Sequence, residues 1–305
     1  MHIASGSRDS NGKWHADNPE DYPPLDTHGQ LPWSVLDQSA GHWRKRVKWW
    51  RDQGVDDITP RLHAPAMINT GRHGTNSKGV SRFDPFLTEL LVTWFSAPGD
   101  KVFDPCAGGP VRGIVSTSLG RIYTGVDLSK PQILANEHVA QQWDLNPRYI
   151  HGDGRVQHLN VGEHDFVLTC PPYHNRERYN AGDGDLSMMK WPDFLTAHRE
   201  LVERSAEVLA TNRFCAWVIS DVRDYKGHYR GLPAIAAQHI RDAGLHITND
   251  LILMEPGGLR AKTMRVPWTA ARTTTRRHQH IIIAVKGDRR EATERIVNAH
   301  TQPPA

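Results

Sequence analysis

From Phe83 onward, short β-prone apolar runs alternate with longer stretches of helical period, and this alternation is what most narrows the folds open to the chain. KVFD (101–104), IYTGVD (122–127), YIHGD (149–153), DFVLTC (165–170), RFCAWVISD (213–221), HITNDLILME (246–255) and HIIIAVKG (280–287) read as strands. Residues 84–96, 111–120, 129–143, 191–209 and 231–243 read as helices, and 129–143 has Ser129 as N-cap and Pro131 in its first turn. Such alternation predicts an α/β domain whose mainly parallel sheet is covered on both faces.

The 305 residues allow one large domain or two small ones, and a formal net charge of only +3 does not select a partner class. No apolar run reaches membrane-spanning length and the first residues are polar, so neither a membrane nor a secreted location is expected, and a cytoplasmic one is. Cys106, Cys170 and Cys215 are scattered without zinc-ligand spacing, as free thiols in a reducing compartment would be. Residues 1–40, rich in Pro, Gly, Asp and Asn, read as an irregular or disordered arm. Residues 41–82 read as a Trp-rich basic extension: a helix over 41–52, then a Gly-rich loop over 68–82. In that helix Trp43, Val47 and Trp50 share one face among Arg44, Lys45, Arg46, Lys48 and Arg51. Two readings stay open: a basic aromatic helix that touches nucleic acid, or tryptophans docked on the core.

KVFDPCAGGPVRG (101–113) is a strand, a glycine turn and a helix start. Gly108 and Gly109 let the backbone turn tightly and approach a ligand, and Pro110 suits the first helical turn. The spacing is not GxGxxG, and no P-loop lysine follows. The next two strands also end in acids, Asp127 and Asp153. Asp127 could accept the two hydroxyls of a ribose, and Asp153 could reach an adenine amine. Asp104, the glycine turn, Asp127 and Asp153 together describe an adenosine site with no phosphate cradle.

FDPCAGG, the acid of GVDLS and then TCPPY (169–173) resemble the S-adenosylmethionine-dependent methyltransferases that modify exocyclic amines of DNA bases. SRFDPFLTELLVTWF (81–95) is similar to that family's cofactor-flanking helix. The run from about 41 to 295 further resembles a group of DNA methylases common in bacteriophages, with AGGxVRGIV, CPPY and DVRD in the same order. The resemblance implies a class I Rossmann-like methyltransferase domain over 83–295, with an antiparallel C-terminal strand, the Trp-rich extension before it and a tail over 296–305. It implies cofactor contacts at Asp104, Pro105, Cys106, Ala107, Gly108, Gly109, Asp127, Leu128, Asp153 and Gly154. The partner it implies is DNA with a flipped base, in company with a cognate restriction endonuclease or in a phage role.

In that family the short motif holds the target base. An aromatic amine is a poor nucleophile because its lone pair is delocalised, and an acceptor that takes its N–H localises that pair. In DFVLTCPPYHNRERYN (165–180) two prolines end a strand and stiffen its exit, so the Pro171 carbonyl suits that task. Pro172 adds no competing N–H, and Tyr173 offers a flat face for the base. Position 170 is Cys where the family has Asp, Asn or Ser, and a thiol is a weak acceptor. The acceptor role then falls on Pro171, with help from a neighbour such as Thr169. Cys is closest in size to Ser, the form that accompanies N4-cytosine methylation, so N4-cytosine ranks ahead of N6-adenine. Cys170 as the nucleophile of a C5-cytosine mechanism ranks last, because Cys there precedes the prolines.

The polar loop 174–185 carries Arg176 and Arg178, within reach of phosphates beside a flipped base. Asp221 ends a strand and either lies near the site or pairs with Arg223; Asp224 follows it. Residues 256–287 contain no acid but carry Arg260, Lys262, Arg265, Arg272, Arg276 and Arg277, a candidate phosphate-binding surface. His278 and His280 lack an evident third ligand, so no metal is expected. Two other readings remain: an RNA-base methyltransferase, and a DNA-binding protein with a degenerate cofactor site.

Overall fold

The structure is a computed structural model that describes residues 27–55, 82–157, 161–176, 179, 181–256 and 265–301, and the backbone of two short paired strands, β1 (Gly6–Arg8) and β2 (Trp14–Ala16). The remaining strands form one sheet: β3 (Val35–Asp37), β4 (Lys101–Asp104), β5 (Ile122–Asp127), β6 (Arg148–His151), β7 (His164–Thr169), β8 (Leu209–Ile219), β9 (His246–Met254) and β10 (His278–Lys286). Their spatial order is β3-β9-β10-β8-β7-β4-β5-β6. Only β10 runs against its neighbours, antiparallel to both β8 and β9. This is a doubly wound, Rossmann-like sheet with the antiparallel strand near the C-terminus, as the resemblance implies.

Successive strand residues point to opposite faces, and each face meets its own helical layer. Val102, Phe166, Leu168, Ala216 and Ile281 pack with α1 (Gly41–Asp52) and α2 (Pro85–Phe95). Phe103, Val167, Cys215, Trp217 and Ile282 pack with α6 (Trp191–Val208) and α7 (Leu232–Asp242). The connecting helices α3 (Val111–Ser118), α4 (Lys130–Gln142) and the single turn α5 (Gly154–Gln157) follow β4, β5 and β6. The Ser129 hydroxyl accepts the Gln132 N–H, so α4 is capped as its sequence requires.

Several elements differ from the sequence reading, two of them in the main sheet and its helical cover. Val35–Asp37, placed in an irregular arm, pairs with β9 as an eighth strand; three residues are too few to show a strand period. Residues 289–301 form a helix, α9, although RREATERIVNAHT is strongly polar; Ala292 and Ile296 dock it on the core. The Trp-rich helix α1 does bury Trp43, Val47 and Trp50. Its partners are two acids that α2 holds in the protein interior. Asp84 caps α2 through the Phe86 and Leu87 N–H groups and accepts the Trp43 indole at 2.9 Å. Glu89 accepts the Trp50 indole at 2.7 Å and both prongs of the Arg46 guanidinium at 2.7 Å. Burial pushes the Asp84 carboxyl above its ordinary range.

Between α6 and α7 the Nδ1 atoms of His198 and His239 lie 3.0 Å apart in the interior. Burial, and then His239, depress His198 to about 3. The folded chain therefore keeps His198 neutral, while an unfolded histidine takes up a proton near pH 6.5. The resulting stability is fully present above about pH 6.5 and is lost as pH falls from there toward about 3. Thermal melting between pH 7.5 and 5 should show a falling midpoint, and His198→Leu should flatten that dependence; an unchanged slope would remove His198 as its cause. No described helix is long and apolar enough to cross a membrane.

Candidate functional site

The strand order reverses between β4 and β7: the chain builds β4, β5 and β6 outward, then returns to place β7 on the other side of β4. At such a switch point the loops leaving the two strands part in opposite directions and open a crevice beyond their carboxyl ends. Both motifs singled out in the sequence lie there. The glycine turn leaves β4, and Cys170-Pro171-Pro172-Tyr173 leaves β7. Asp127, at the end of neighbouring β5, lies on the same edge.

Asp104 ties these loops together. Its Oδ1 accepts the Thr169 hydroxyl at 2.8 Å and the Cys106 N–H at 3.1 Å. Its Oδ2 accepts Arg112 Nε at 2.6 Å and the Tyr123 hydroxyl at 2.8 Å. A carboxylate has about four lone-pair sites, and these donors fill them in a residue with no exposed surface. Asp104 is thus a strut beneath the site rather than a ligand-facing group, a correction to the sequence reading. Thr169 is corrected with it, since its hydroxyl is turned inward and away from the rim. Arg112 is equally buried and donates Nη2 to the Cys106 and Ala107 carbonyls at 2.7 and 3.0 Å, fixing the turn from below. Burial is the largest influence and opposes its charge, but Asp104, Tyr123 and Cys170 together outweigh it and raise the guanidinium above its ordinary range.

The turn above this strut is open. Gly108 has φ +52°, and apart from its immediate chain neighbours no atom lies within 4 Å of where its Cβ would be. Its N–H donates to Asp127 Oδ2 at 2.8 Å, while Asp127 Oδ1 takes the Ser129 N–H at 2.8 Å. The Leu128 carbonyl accepts from His151 at 3.0 Å. Pro105 and Gly154 touch: a Cβ on Gly154 would come 2.3 Å from the Pro105 carbonyl oxygen. Asp153 departs from expectation, because Arg155, two residues on, donates Nη2 to its Oδ2 at 2.6 Å and Nε to both oxygens at 3.1 Å. Burial and then Asp104 push the Cys106 thiol well above its ordinary range, which removes it as a thiolate.

On the other loop Pro171 is buried, and among the described residues its carbonyl accepts no hydrogen bond. Tyr173 is half-buried and pinned at its hydroxyl, which donates to Gln279 Oε1 at 2.8 Å and lies 3.0 Å from Cys170 Sγ. Gln279 is held in turn through Nε2 on Glu255 at 2.9 Å. Burial and then Cys170 push the phenol well above its ordinary range, so it stays a neutral donor. His174 follows with φ +51°, a conformation costly for a non-glycine residue. Its ring is buried against Trp191 and Phe194, and Nε2 bonds the Met189 carbonyl at 3.0 Å. Gln279 and Glu255 were not identified from the sequence, and no local spacing links them to the motif; His174 adjoins it, but nothing local shows that its ring turns inward.

The basic residues separate into groups. Arg176 and Arg276 line one pocket. Arg265 and Arg272 are exposed at the ends of a short helix, α8 (Arg265–Ala271), and Arg277 is engaged with the Glu255 carbonyl at 2.9 Å. Arg178, Arg260 and Lys262 lie outside the described residues. Asp221 does not pair with Arg223; its Oδ1 accepts the Val222 and Leu232 N–H groups, at 2.8 and 3.0 Å. His280 bonds Asp250 at 3.1 Å. Among the described residues no three His, Cys, Asp or Glu gather as a metal site.

No family model and no curated protein matches the chain. Among solved structures it is similar to TrmN from Thermus thermophilus, at 15% identity over 67% of this chain with a TM-score of 0.48. The match spans about half, 49%, of the length of TrmN. It is also similar to a methyltransferase from Pyrococcus furiosus (12% identity, 78% of this chain and 98% of that one, TM-score 0.47). A third likeness is to magnesium protoporphyrin IX methyltransferase from Synechocystis with bound SAM (14% identity, 68% and 87%, TM-score 0.44). Identities this low carry no substrate from those proteins to this chain.

Proposed function

We propose that the chain transfers a methyl group from S-adenosylmethionine to an exocyclic amine of a DNA base, N4 of cytosine ahead of N6 of adenine. One observation carries the reading: the Asp104–Thr169 bond holds an open glycine turn and a proline-stiffened carbonyl side by side at the switch point. The cofactor fits the first loop. The open backbone at Gly108 would face its methionine part, Asp127 its ribose and the Asp153–Gly154 turn its adenine. When bound, it supplies a methyl group already activated on a sulfonium. What remains for the protein is alignment and proton removal.

The second loop supplies the alignment. The Pro171 carbonyl, unengaged by any described donor, would accept the amine N–H and localise the nitrogen lone pair. Tyr173 would stack the flipped base, its ring orientation set by Gln279 and Cys170. Cys170 contributes through that contact with Tyr173 more than as an acceptor. Nucleoside mass spectrometry of DNA and RNA from cells expressing the chain tests the reading. N4-methylcytosine in DNA is the expected product; N6-methyladenine in DNA would move the acceptor atom, and methylation confined to RNA would overturn the DNA assignment.

Gly154→Ala tests the cofactor side. The added Cβ must displace the Pro105 carbonyl, so the turn shifts. Calorimetry should show S-adenosylmethionine binding weakened about tenfold, ~1.4 kcal/mol. Unchanged affinity would mean that the cofactor does not use this turn.

A further inference from the structure

A pocket of about 440 Å³ adjoins the loop that carries Tyr173. Three loops of one sheet edge build it: Asn175 and Arg176 after β7, residues 221–223 after β8 and residues 274–276 before β10, with Tyr229 as a wall. Because β10 runs antiparallel, its start meets the carboxyl ends of β7 and β8.

Three guanidiniums line this pocket, and among the described residues none has a carboxylate partner. Arg223 lies 3.6 Å over the Tyr229 ring and donates Nη1 to the Gly227 carbonyl at 2.7 Å. Arg276 lies 5.0 Å from the same ring and donates Nη1 to the Ser220 hydroxyl at 2.8 Å. Arg176 is exposed. A guanidinium carries five donors, so most of this donor set is unengaged. Aromatic, backbone and hydroxyl contacts hold the two forks in place without neutralising them, and Asp221, the one acid in the lining, is turned to backbone N–H groups. Fixed, unneutralised forks converging from separate loops match the oxygens of a phosphate.

We infer that this pocket receives a backbone phosphate of the polynucleotide strand whose base lies against Tyr173. The assignment rests on the proposed function in taking a polynucleotide as substrate. Two chain segments fix the pocket relative to the tyrosine. Arg176 is three residues beyond it, and Arg276 is three residues before Gln279, which binds its hydroxyl. A free phosphate ion offers the same chemistry and is the alternative source.

The test measures fluorescence anisotropy of a labelled oligonucleotide of about 20 nucleotides, single-stranded and duplex, over a salt series without cofactor. Arg223→Gln/Arg276→Gln should weaken binding about tenfold or more and lower the slope of log K against log salt by about 1.4–1.8, the loss of two phosphate contacts. Arg176→Gln, a change at an exposed side chain, should lower the slope by about 0.7–0.9. Unchanged affinity and slope in variants that melt like the wild type would overturn the inference, as would a wild type that binds neither oligonucleotide. Inorganic phosphate that displaces the oligonucleotide beyond its ionic-strength effect would assign the pocket to the free ion instead and overturn it too. Wild-type protein that binds DNA through these arginines yet methylates none would sink the proposed function and leave the pocket's assignment standing.

Discussion

Tyr173→Ala is expected to lower methyl transfer by about a hundredfold or more, while S-adenosylmethionine binding stays within about twofold. The ring offers the stacking face that a flipped base needs, worth about 1–3 kcal/mol for a base on an aromatic side chain. Its loss also frees the base to shift, and a displacement of about 1 Å at a reacting centre costs on the order of a hundredfold. Tyr173→Phe separates the two effects. It keeps the face but removes the hydroxyl that Gln279 and Cys170 hold. The loss of the Gln279 hydrogen bond, about 0.5–1.5 kcal/mol, together with a weak contact to the Cys170 thiol, predicts roughly a tenfold effect. Single-turnover transfer to oligonucleotides, with calorimetry of the cofactor alone, reads both variants. A Tyr173→Ala protein that keeps more than a tenth of the rate would show that the ring is not the platform. One that loses cofactor affinity would place Tyr173 on the cofactor side instead.

What the sequence made legible were features confined to a few neighbouring residues. The apolar runs of β4, β5, β7 and β8 announce strands, and the acids, glycines and prolines that end them announce which edge carries the site. The roles of those residues depend on partners far along the chain. Asp104 reads as a ligand-facing acid until Arg112, Tyr123 and Thr169 surround it, and Thr169 is 65 residues away. Tyr173 reads as an exposed platform, and only the sheet brings Gln279, 106 residues on, to its hydroxyl. Asp221 and Arg223 look like an ion pair because they are two residues apart; β-bridge geometry between Arg223 and Tyr229 sends the guanidinium to the aromatic ring instead. Glu89, in the middle of an apolar helix, is understandable only once Arg46 and Trp50 reach it from α1.

The strut beneath the site leads to the second large effect. Arg112 and Asp104 are a buried ion pair at 2.6 Å with almost no exposed surface. Removing one member of such a pair leaves a charge without compensation in the interior, typically at a cost of about 3–5 kcal/mol. Arg112→Leu should therefore destabilise the fold by about that much and lower the melting midpoint on the order of 10 °C. The variant also releases the Cys106 and Ala107 carbonyls, so the glycine turn loses its support from below. Cofactor affinity measured well below the melting transition should fall as well, which a purely global loss of stability would not produce. Replacing both members, Arg112→Leu with Asp104→Leu, removes the lone charge but strands the Thr169 and Tyr123 hydroxyls, so it should recover only part of the lost stability. A single Arg112→Leu variant that melts within about 1 kcal/mol of the wild type would mean that other contacts set the turn. The cofactor side of the site would then have to be redrawn without this strut.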